Sequence, residues 1–266
     1  MRNNGSRLEL LRMRPHDHIG WVFSGAEEFA ALAKPFLDEG AALGEKLMFV
    51  AENPEDDAFV GLTDGYDPAA VQVASISDVY GASGVVDAQS QRATFAGAMA
   101  EALADGYSGI RVAADNSTLV GDPERIEAWI RWELVADRLI AENHVTGLCA
   151  FNRDRVDVDM LRHLSTLHPL SSSDFPAPQF RLFVDDGSLC IEGEVDSFAV
   201  EHLWMALDVL PPATRVVVDM TNATLRGDVV QSDLRHMSDA GVRVSFRGAP
   251  ATTTVLARLL EVSESA

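Results

Sequence analysis

Residues 18–29 read His18-Ile-Gly-Trp-Val-Phe-Ser-Gly-Ala-Glu-Glu-Phe29, and they set the architecture of the N-terminal part of the chain. The apolar run 19–23 is typical of a buried strand, and the apolar spacing of 27–39 predicts a helix that Gly40 ends. Pro35 should kink that helix, because proline lacks an amide hydrogen. A strand that leads directly into a helix predicts the first unit of an α/β fold.

The turn between this strand and helix lacks the features of a phosphate-binding loop. Such a loop needs a glycine-rich turn and a Gly-Lys-Ser/Thr triplet, and neither is present here. Ser24-x-x-Glu27 instead matches a capping box, in which side chains satisfy the first helical amides. Glu27 and Glu28 also place two carboxylates where a helix would otherwise attract phosphate. We therefore expect no bound nucleoside triphosphate at this turn.

The alternation of strands and helices continues to about residue 167. It predicts strands over 46–51, 109–114 and 145–151, and helices over 90–105, 122–142 and 159–167. Alternation of this kind is typical of a parallel sheet with helices on both faces.

Several motifs in this region together resemble a known family. They are the opening stretch, Pro35-Phe-Leu-Asp-Glu-Gly-x-x-x-Gly-Glu-Lys-Leu-Met-Phe-Val-Ala-Glu52, Gly106-Tyr-Ser-Gly-Ile-Arg-Val112, Arg131-Trp-Glu133 and His168-Pro169. Over residues 14–169 the chain resembles the MEDS sensory domain. The resemblance implies a degenerate three-layer domain, like RecA or the clock ATPase KaiC, that has lost its phosphate loop. It also implies the sensing of small organic compounds, notably hydrocarbon derivatives.

The resemblance assigns the family's characteristic histidine to His18 and its acidic residue to Glu133. Glu133 falls on the apolar face of its predicted helix, where a carboxylate needs a partner. His18 is a candidate for that partner. Two interpretations are open: the pair serves a purely structural role, or it lines a ligand pocket for which Trp21 is a further candidate. Glu52 and Asp115 follow two predicted strands, where an ATPase would carry catalytic acids, and without a phosphate loop they are interpreted as polar groups at the pocket rim or remnants.

No metal site and no other cofactor are predicted. His16 and His18 have His-x-His spacing, but a zinc site needs a third and a fourth ligand, and no obvious cluster in the sequence supplies them. Cys149 and Cys190 each lie in an apolar run and are interpreted as buried thiols in a reducing compartment. No Gly-x-Ser-x-Gly motif is present, so no catalytic residues are assigned and we expect the chain not to be an enzyme.

A break in composition at Pro169-Leu-Ser-Ser-Ser-Asp-Phe-Pro-Ala-Pro178 separates two domains. We place the sensory domain at 1–169, a linker at 170–178 and a second domain at 179–266. Asp186-Gly187 predicts a hairpin in the second domain. The later pattern predicts a small mixed α/β domain with helices over 197–210, 229–239 and 251–261 and strands over 215–220 and 242–246.

Two motifs of the second domain, Gly193-Glu-Val-Asp196 and Val216-Val-Val-Asp-Met-Thr-Asn-Ala-Thr-Leu225, resemble the STAS domain of anti-sigma-factor antagonists. In that family a serine or threonine at the start of the second helix is phosphorylated, and the matching position here is Asp228. The resemblance therefore implies a docking domain without the phosphorylation switch, whose partner is an anti-sigma factor or a sensor histidine kinase. Candidate hydroxyl acceptors outside the motif are Thr221, Thr224 and Ser232.

The formal net charge of −20 argues against a nucleic-acid partner, because binding to phosphate requires a basic surface. No apolar run approaches the roughly 20 residues that span a bilayer, so we expect a cytoplasmic protein without membrane contact. The leading hypothesis is a non-catalytic bacterial signalling protein that senses a small molecule or a partner and docks a second regulator. The alternatives are a nucleotide-binding RecA-like ATPase and a ligand-free interaction scaffold, and a homo-oligomer is compatible with each.

Overall fold

A computed structural model describes residues 3, 5–7, 12–172, 174–175, 178–208, 210, 214–225 and 243–248. The chain divides into two compact units, residues 2–177 and residues 178–266.

The first unit is built on short apolar runs that pair side by side in the same direction. Among its described residues they form a parallel sheet of seven strands in the order β1-β7-β2-β6-β5-β3-β4. The strands are β1 (Gly5–Arg7), β2 (His18–Phe23), β3 (Lys46–Ala51), β4 (Val71–Ser75), β5 (Ile110–Asp115), β6 (Val145–Asn152) and β7 (Leu170–Ser172). Every residue of β2 is buried, which is typical of a parallel strand covered on both faces.

Helices cover both faces of this sheet and complete a three-layer α/β arrangement. They are α1 (Gly25–Ala42), α2 (Ile76–Tyr80), α3 (Ala88–Ala104), α4 (Pro123–Glu142) and α5 (Val158–Thr166). On one face, Phe29 and Phe36 of α1 pack into the core with Ile19 and Trp21 of β2. α4 covers the other face, and it begins where the Asp122 side chain accepts a hydrogen bond from the amide of residue 125 at 3.0 Å.

The strands and helices that the sequence pattern predicts in this unit are confirmed to within about two residues at most ends. α1 is helical on both sides of Pro35. β4 and α2 are not predicted by the pattern. Residues 170–172, expected at the start of the linker, instead form β7, because their backbone pairs with β1 and β2.

In the second unit the described residues form a mixed five-stranded sheet. Its elements are β8 (Phe180–Asp185), β9 (Ser188–Val195), α6 (Ser197–Asp208), β10 (Arg215–Met220), β11 (Ala223–Leu225) and β12 (Arg243–Gly248). β8 and β9 are antiparallel, and the residues between them, Asp186 and Gly187, have positive φ angles of 44° and 71°, so the predicted hairpin is confirmed. The other pairings are parallel. The predicted helices at 229–239 and 251–261, together with Asp228 and Ser232, lie outside the described residues.

A fully buried guanidinium joins β5 to α1 and to the segment before β2. Arg111 donates hydrogen bonds to Glu45 at 2.5 Å, to Glu39 at 3.1 Å and to the backbone carbonyls of Phe36 and Met13 at 3.2 and 3.1 Å. Burial raises the pKa of Glu45, and Arg111 acts in the opposite direction. Arg111 and Glu45 therefore depend on each other, since either charge without the other would be buried and uncompensated.

We expect Arg111→Met to destabilise the first unit by about 3–5 kcal/mol, because it leaves the Glu45 carboxylate buried without its partner. Urea unfolding followed by circular dichroism measures this change. Arg138→Met is the matched control, since Arg138 is exposed and pairs with Glu142 one turn away; it should cost no more than about 0.5 kcal/mol. Equal losses of unfolding free energy in the Arg111→Met and Arg138→Met proteins would contradict the role assigned to Arg111.

Candidate functional site

Four side chains of metal-ligating type meet on the face of the sheet that α4 covers. They are His18 at the start of β2, Glu133 in α4, Cys149 in β6 and His168 just before β7. One ligating atom from each lies within 4.8 Å of those of the others. The histidines and the glutamate are fully buried, and Cys149 is partly buried.

Strand register and two glycines bring this cluster together. In the β2–β6 pair, His18 lies opposite Gly147 and Gly20 lies opposite Cys149, so all four positions are on one face of the sheet. A Cβ atom at Gly20 would lie 2.9 Å from Nδ1 of His168, and a Cβ atom at Gly147 would lie 3.3 Å from Cδ2 of His18. The two glycines therefore leave the room that the imidazole rings occupy.

The Glu133 carboxylate lies between the two imidazoles. Its Oε2 atom is 3.3 Å from Nε2 of His18, and its Oε1 atom is 3.4 Å from Nε2 of His168. The Cys149 sulfur is 3.4 Å from Nε2 of His18 and 4.0 Å from Oε2 of Glu133. Both rings thus turn the same nitrogen, Nε2, toward the centre of the cluster.

The Nδ1 atom of each imidazole ring makes a hydrogen bond to a group outside the cluster. Nδ1 of His18 lies 3.0 Å from Oδ1 of Asp137, which is fully buried one turn after Glu133 in α4. Nδ1 of His168 lies 2.8 Å from the carbonyl oxygen of Leu164 in α5. A carbonyl and a carboxylate accept hydrogen bonds, so each Nδ1 carries a hydrogen and donates it. Nε2 is therefore the nitrogen that gains or loses the proton of each imidazole.

The cluster compensates the charge of its buried carboxylate. Burial alone would raise the pKa of Glu133, but His168 and His18 lower this pKa to about 2. Burial alone would lower the pKa of His168, but the Glu133 carboxylate raises it to about 9. The pKa of His18 is also raised, against the effect of burial, by the Cys149 sulfur and the hydrogen bond with Asp137. The four side chains are therefore one electrostatic unit.

An apolar cavity of about 40 Å³ adjoins this unit. His18 and Cys149 belong to both, so two side chains of the cluster form part of the cavity wall. Tyr80, Phe95 and Trp132 form an aromatic wall in which the Phe95 and Trp132 rings stack with centroids 5.6 Å apart. The full lining is His18, Tyr80, Phe95, Val112, Ala114, Trp132, Ala136, Leu139, Ile140, Val145, Gly147, Leu148 and Cys149. This volume has room for roughly two or three water-sized groups.

The region that contains the cluster and the cavity matches a described family. Residues 17–169, more than half of the chain, match the family model of the MEthanogen/methylotroph, DcmR Sensory domain, or MEDS. The chain belongs to the MEDS family. The MEDS sensory domain indicates a signalling or regulatory role for this protein.

Other comparisons add little to the MEDS assignment. No curated protein matches the chain in sequence. Among solved structures, EssC (ATPases 2 and 3) from Geobacillus thermodenitrificans is 12% identical with a TM-score of 0.32, over 81% of this chain and 55% of that chain. The chain thus spans about half the length of that structure. The seven-stranded sheet of the described residues is parallel, which confirms the predicted α/β class. Among the described residues, no helix has the length and apolar character needed to cross a bilayer.

The MEDS domain brings together only some of the residues that the sequence predicts for its pocket. His18 and Glu133 are in contact, and His18 lines the cavity. Trp21 lies on the opposite face of the sheet, because it is three residues after His18 and side chains alternate along a strand. Whether the His18–Glu133 pair binds a ligand stays a prediction.

Glu52 and Asp115 do not line the cavity of the MEDS domain. Asp115 is the last residue of β5, three positions beyond the residue that pairs with Gly147, so it lies toward the other end of the sheet from His18. It accepts a hydrogen bond from the amide of Ser117 at 3.0 Å, and burial raises its pKa. Glu52 follows β3 and pairs with Arg155 at 2.5 Å at the surface.

The predicted capping box at the start of α1 is wrong. Ser24 precedes the helix, but its hydroxyl makes no capping bond and donates instead to Asp154. The Ser24 amide donates to Glu28 at 2.7 Å, and Glu27 takes no part in this bond. Ser24 and Glu27 therefore do not cap the first amides of α1 in the predicted way. The predicted concentration of carboxylates is present, and Asp154 adds to it.

The structure brings side chains of metal-ligating type close to His18 that its His-x-His spacing does not predict, and none of them is His16. His16 lies outside β2 with a φ of 80°, and its ring lies beside that of His144. The partners are Cys149 and His168, which are 131 and 150 positions from His18 and become neighbours only because β6 and β7 flank β2. In the sequence, the features that point to these two residues are the apolar run around Cys149 and the His168-Pro169 motif.

We expect Gly20→Ala to destabilise the MEDS domain by about 1–3 kcal/mol, because the added methyl group must displace the buried ring of His168. Urea unfolding measures the change. Gly97→Ala is the matched control: Gly97 lies inside α3 with open space around its Cα, so the substitution should stabilise the domain by about 0.5–1 kcal/mol. If Gly20→Ala left the free energy of unfolding unchanged, the cluster would be shown to tolerate movement of His168.

Proposed function

We propose that this protein is a non-catalytic signalling protein whose MEDS domain binds a small organic molecule in the cavity beside His18 and Cys149. The observation that carries the proposal is the cavity itself, whose lining is mostly apolar and includes His18 and Cys149 of the cluster. Sites for small molecules typically combine an apolar lining with a few polar groups that orient the ligand.

The size of the cavity limits the class of ligand. About 40 Å³ accommodates a compound of one or two carbons with a polar or halogen substituent. The apolar part would contact the rings of Tyr80, Phe95 and Trp132, and the substituent would lie against His18 or Cys149. A hydrocarbon derivative of this kind fits the sensory role of the family.

The acidic start of α1 supports a role without nucleotide chemistry. Glu27 and Glu28 occupy its first turn, and Asp154 is bound to Ser24 immediately before it. Carboxylates at a helix N-terminus repel the phosphates that such a site would otherwise attract. The ATPase alternative therefore has less support than small-molecule sensing.

We further propose that the second unit docks a protein partner, an anti-sigma factor or a sensor histidine kinase. The support is its mixed α/β arrangement with an N-terminal hairpin, together with the STAS-like motifs of the sequence. Asp228 would then hold a fixed charge at the position of the usual phosphate acceptor. The cytoplasmic location and the oligomeric state stay predictions.

The sensing proposal is tested by calorimetric titration of the full chain with methanol, methylamine and a halomethane, with toluene as a ligand too large for the cavity. We expect at least one of the small compounds to bind and toluene not to bind. Ala136→Leu should weaken this binding at least about tenfold, because the larger side chain fills the space that the ligand needs.

Ala41→Leu supplies the matched control for that titration, since Ala41 is exposed on α1. It should bind like the wild type. Failure of all the small compounds to bind would favour the ligand-free scaffold. Equal affinity in the Ala136→Leu protein would show that the ligand binds outside this cavity and would contradict the proposal.

A further inference from the structure

We propose that His18, Glu133, Cys149 and His168 form a four-ligand site for Zn²⁺. This inference goes beyond the sensing of an organic molecule and does not depend on it. The four side chains supply two imidazole nitrogens, one sulfur and one carboxylate oxygen, all of which are ligand types that zinc uses in proteins.

The spacing of the ligand atoms fits a tetrahedral zinc ion. Bond lengths of about 2.3 Å to sulfur and about 2.0–2.2 Å to nitrogen and oxygen place neighbouring ligand atoms about 3.3–3.6 Å apart. Three observed separations are close to this range: His18 to Glu133 at 3.3 Å, His18 to Cys149 at 3.4 Å and His168 to Glu133 at 3.4 Å. The separation between Cys149 and Glu133 is 4.0 Å. The separations from His168 to His18 and to Cys149 are no more than 4.8 Å, so the four atoms would have to move closer together to bind one ion.

The contacts outside the cluster also match those of a metal site. Histidine ligands of metals almost always donate their second ring N–H to a carboxylate, a backbone carbonyl or water. His18 donates to Asp137 and His168 donates to the carbonyl of Leu164. Both donations leave Nε2 toward Glu133 and Cys149, which is the orientation that ligation requires.

The charges of the four ligands balance those of the ion. Zn²⁺ deprotonates a coordinating thiol, so Cys149 would bind as a thiolate and release its proton to solvent. The imidazoles would bind as neutral rings and release any proton held on Nε2. A thiolate and the Glu133 carboxylate together neutralise the two charges of the ion, which favours its burial beside His18, Glu133 and His168, none of which is exposed to solvent.

A metal ion at this site would link the central strands of the sheet to each other and to α4. Its ligands come from β2, α4 and β6 and from His168, two residues before β7, so one ion would join elements that are distant in sequence. His18 and Cys149 also line the apolar cavity, so a small molecule there would contact two of the metal's ligands.

The test uses the purified full chain, stripped of metal with a chelator and titrated with Co²⁺, which reports on ligand geometry. We expect one equivalent to bind, with the intense visible bands of tetrahedral Co²⁺ and a thiolate-to-cobalt charge-transfer band in the near ultraviolet. Zn²⁺ should displace the cobalt and abolish both signals.

Two cysteine variants assign the sulfur ligand. Cys149→Ser should lose the charge-transfer band and weaken Zn²⁺ binding by more than the roughly 10- to 100-fold that the loss of an outer hydrogen-bond partner costs. Cys190→Ser is the matched control, because Cys190 is the other cysteine of the chain and lies on β9 of the second unit. It should retain the spectrum and the affinity. Asp137→Asn should weaken binding by about 10- to 100-fold while both bands remain.

Circular dichroism of each metal-free variant shows whether it is folded. If Cys149→Ser does not fold, X-ray absorption of the zinc-loaded wild type answers the question without a variant. One sulfur at about 2.3 Å and two imidazoles around zinc would support the site. No cobalt binding, octahedral cobalt spectra, zinc without a sulfur neighbour, or identical spectra from folded Cys149→Ser and Cys190→Ser would overturn it.

Discussion

The first unit depends on the burial of one carboxylate. Glu133 has no solvent exposure, and moving a charged carboxylate from water into a protein interior costs several kcal/mol unless other groups compensate it. His18 and His168 supply this compensation at 3.3 and 3.4 Å. The two imidazoles in turn need the space left by Gly20 and Gly147 and the acceptors that fix their Nδ1 atoms. Burial of the charged Glu133 carboxylate therefore restricts how β2, β6, α4 and α5 can be placed relative to one another.

The same cluster explains why a signalling function fits this domain. Two of its members line an apolar cavity, and its members belong to separate elements of the sheet and its helices. A group that binds in the cavity would contact His18 and Cys149 and change the environment of the whole charged unit. A ligand that interacts differently with two arrangements of such a unit can shift the balance between them.

Much of the first unit could be predicted from local pattern. The apolar face of α4 carries Glu133, and this position alone indicates that the carboxylate needs a buried partner. The contacts of Cys149 and His168 could not be predicted in this way, because they depend on the strand order β7-β2-β6. Strand alternation, applied strictly, would have placed Trp21 on the opposite face from His18. The Ser24 hydroxyl is bound by Asp154, a residue distant in sequence, which no local capping motif reveals.

A double-substitution cycle between Glu133 and His168 in the metal-free protein tests most directly whether the buried charges act as one unit. The free energies of unfolding of the wild type, Glu133→Gln, His168→Asn and the double variant supply the coupling energy. Mutual compensation predicts a coupling of about 1–3 kcal/mol, so that the second substitution costs much less once the first is present. Single effects that add to within about 0.3 kcal/mol would contradict the central place given to this carboxylate.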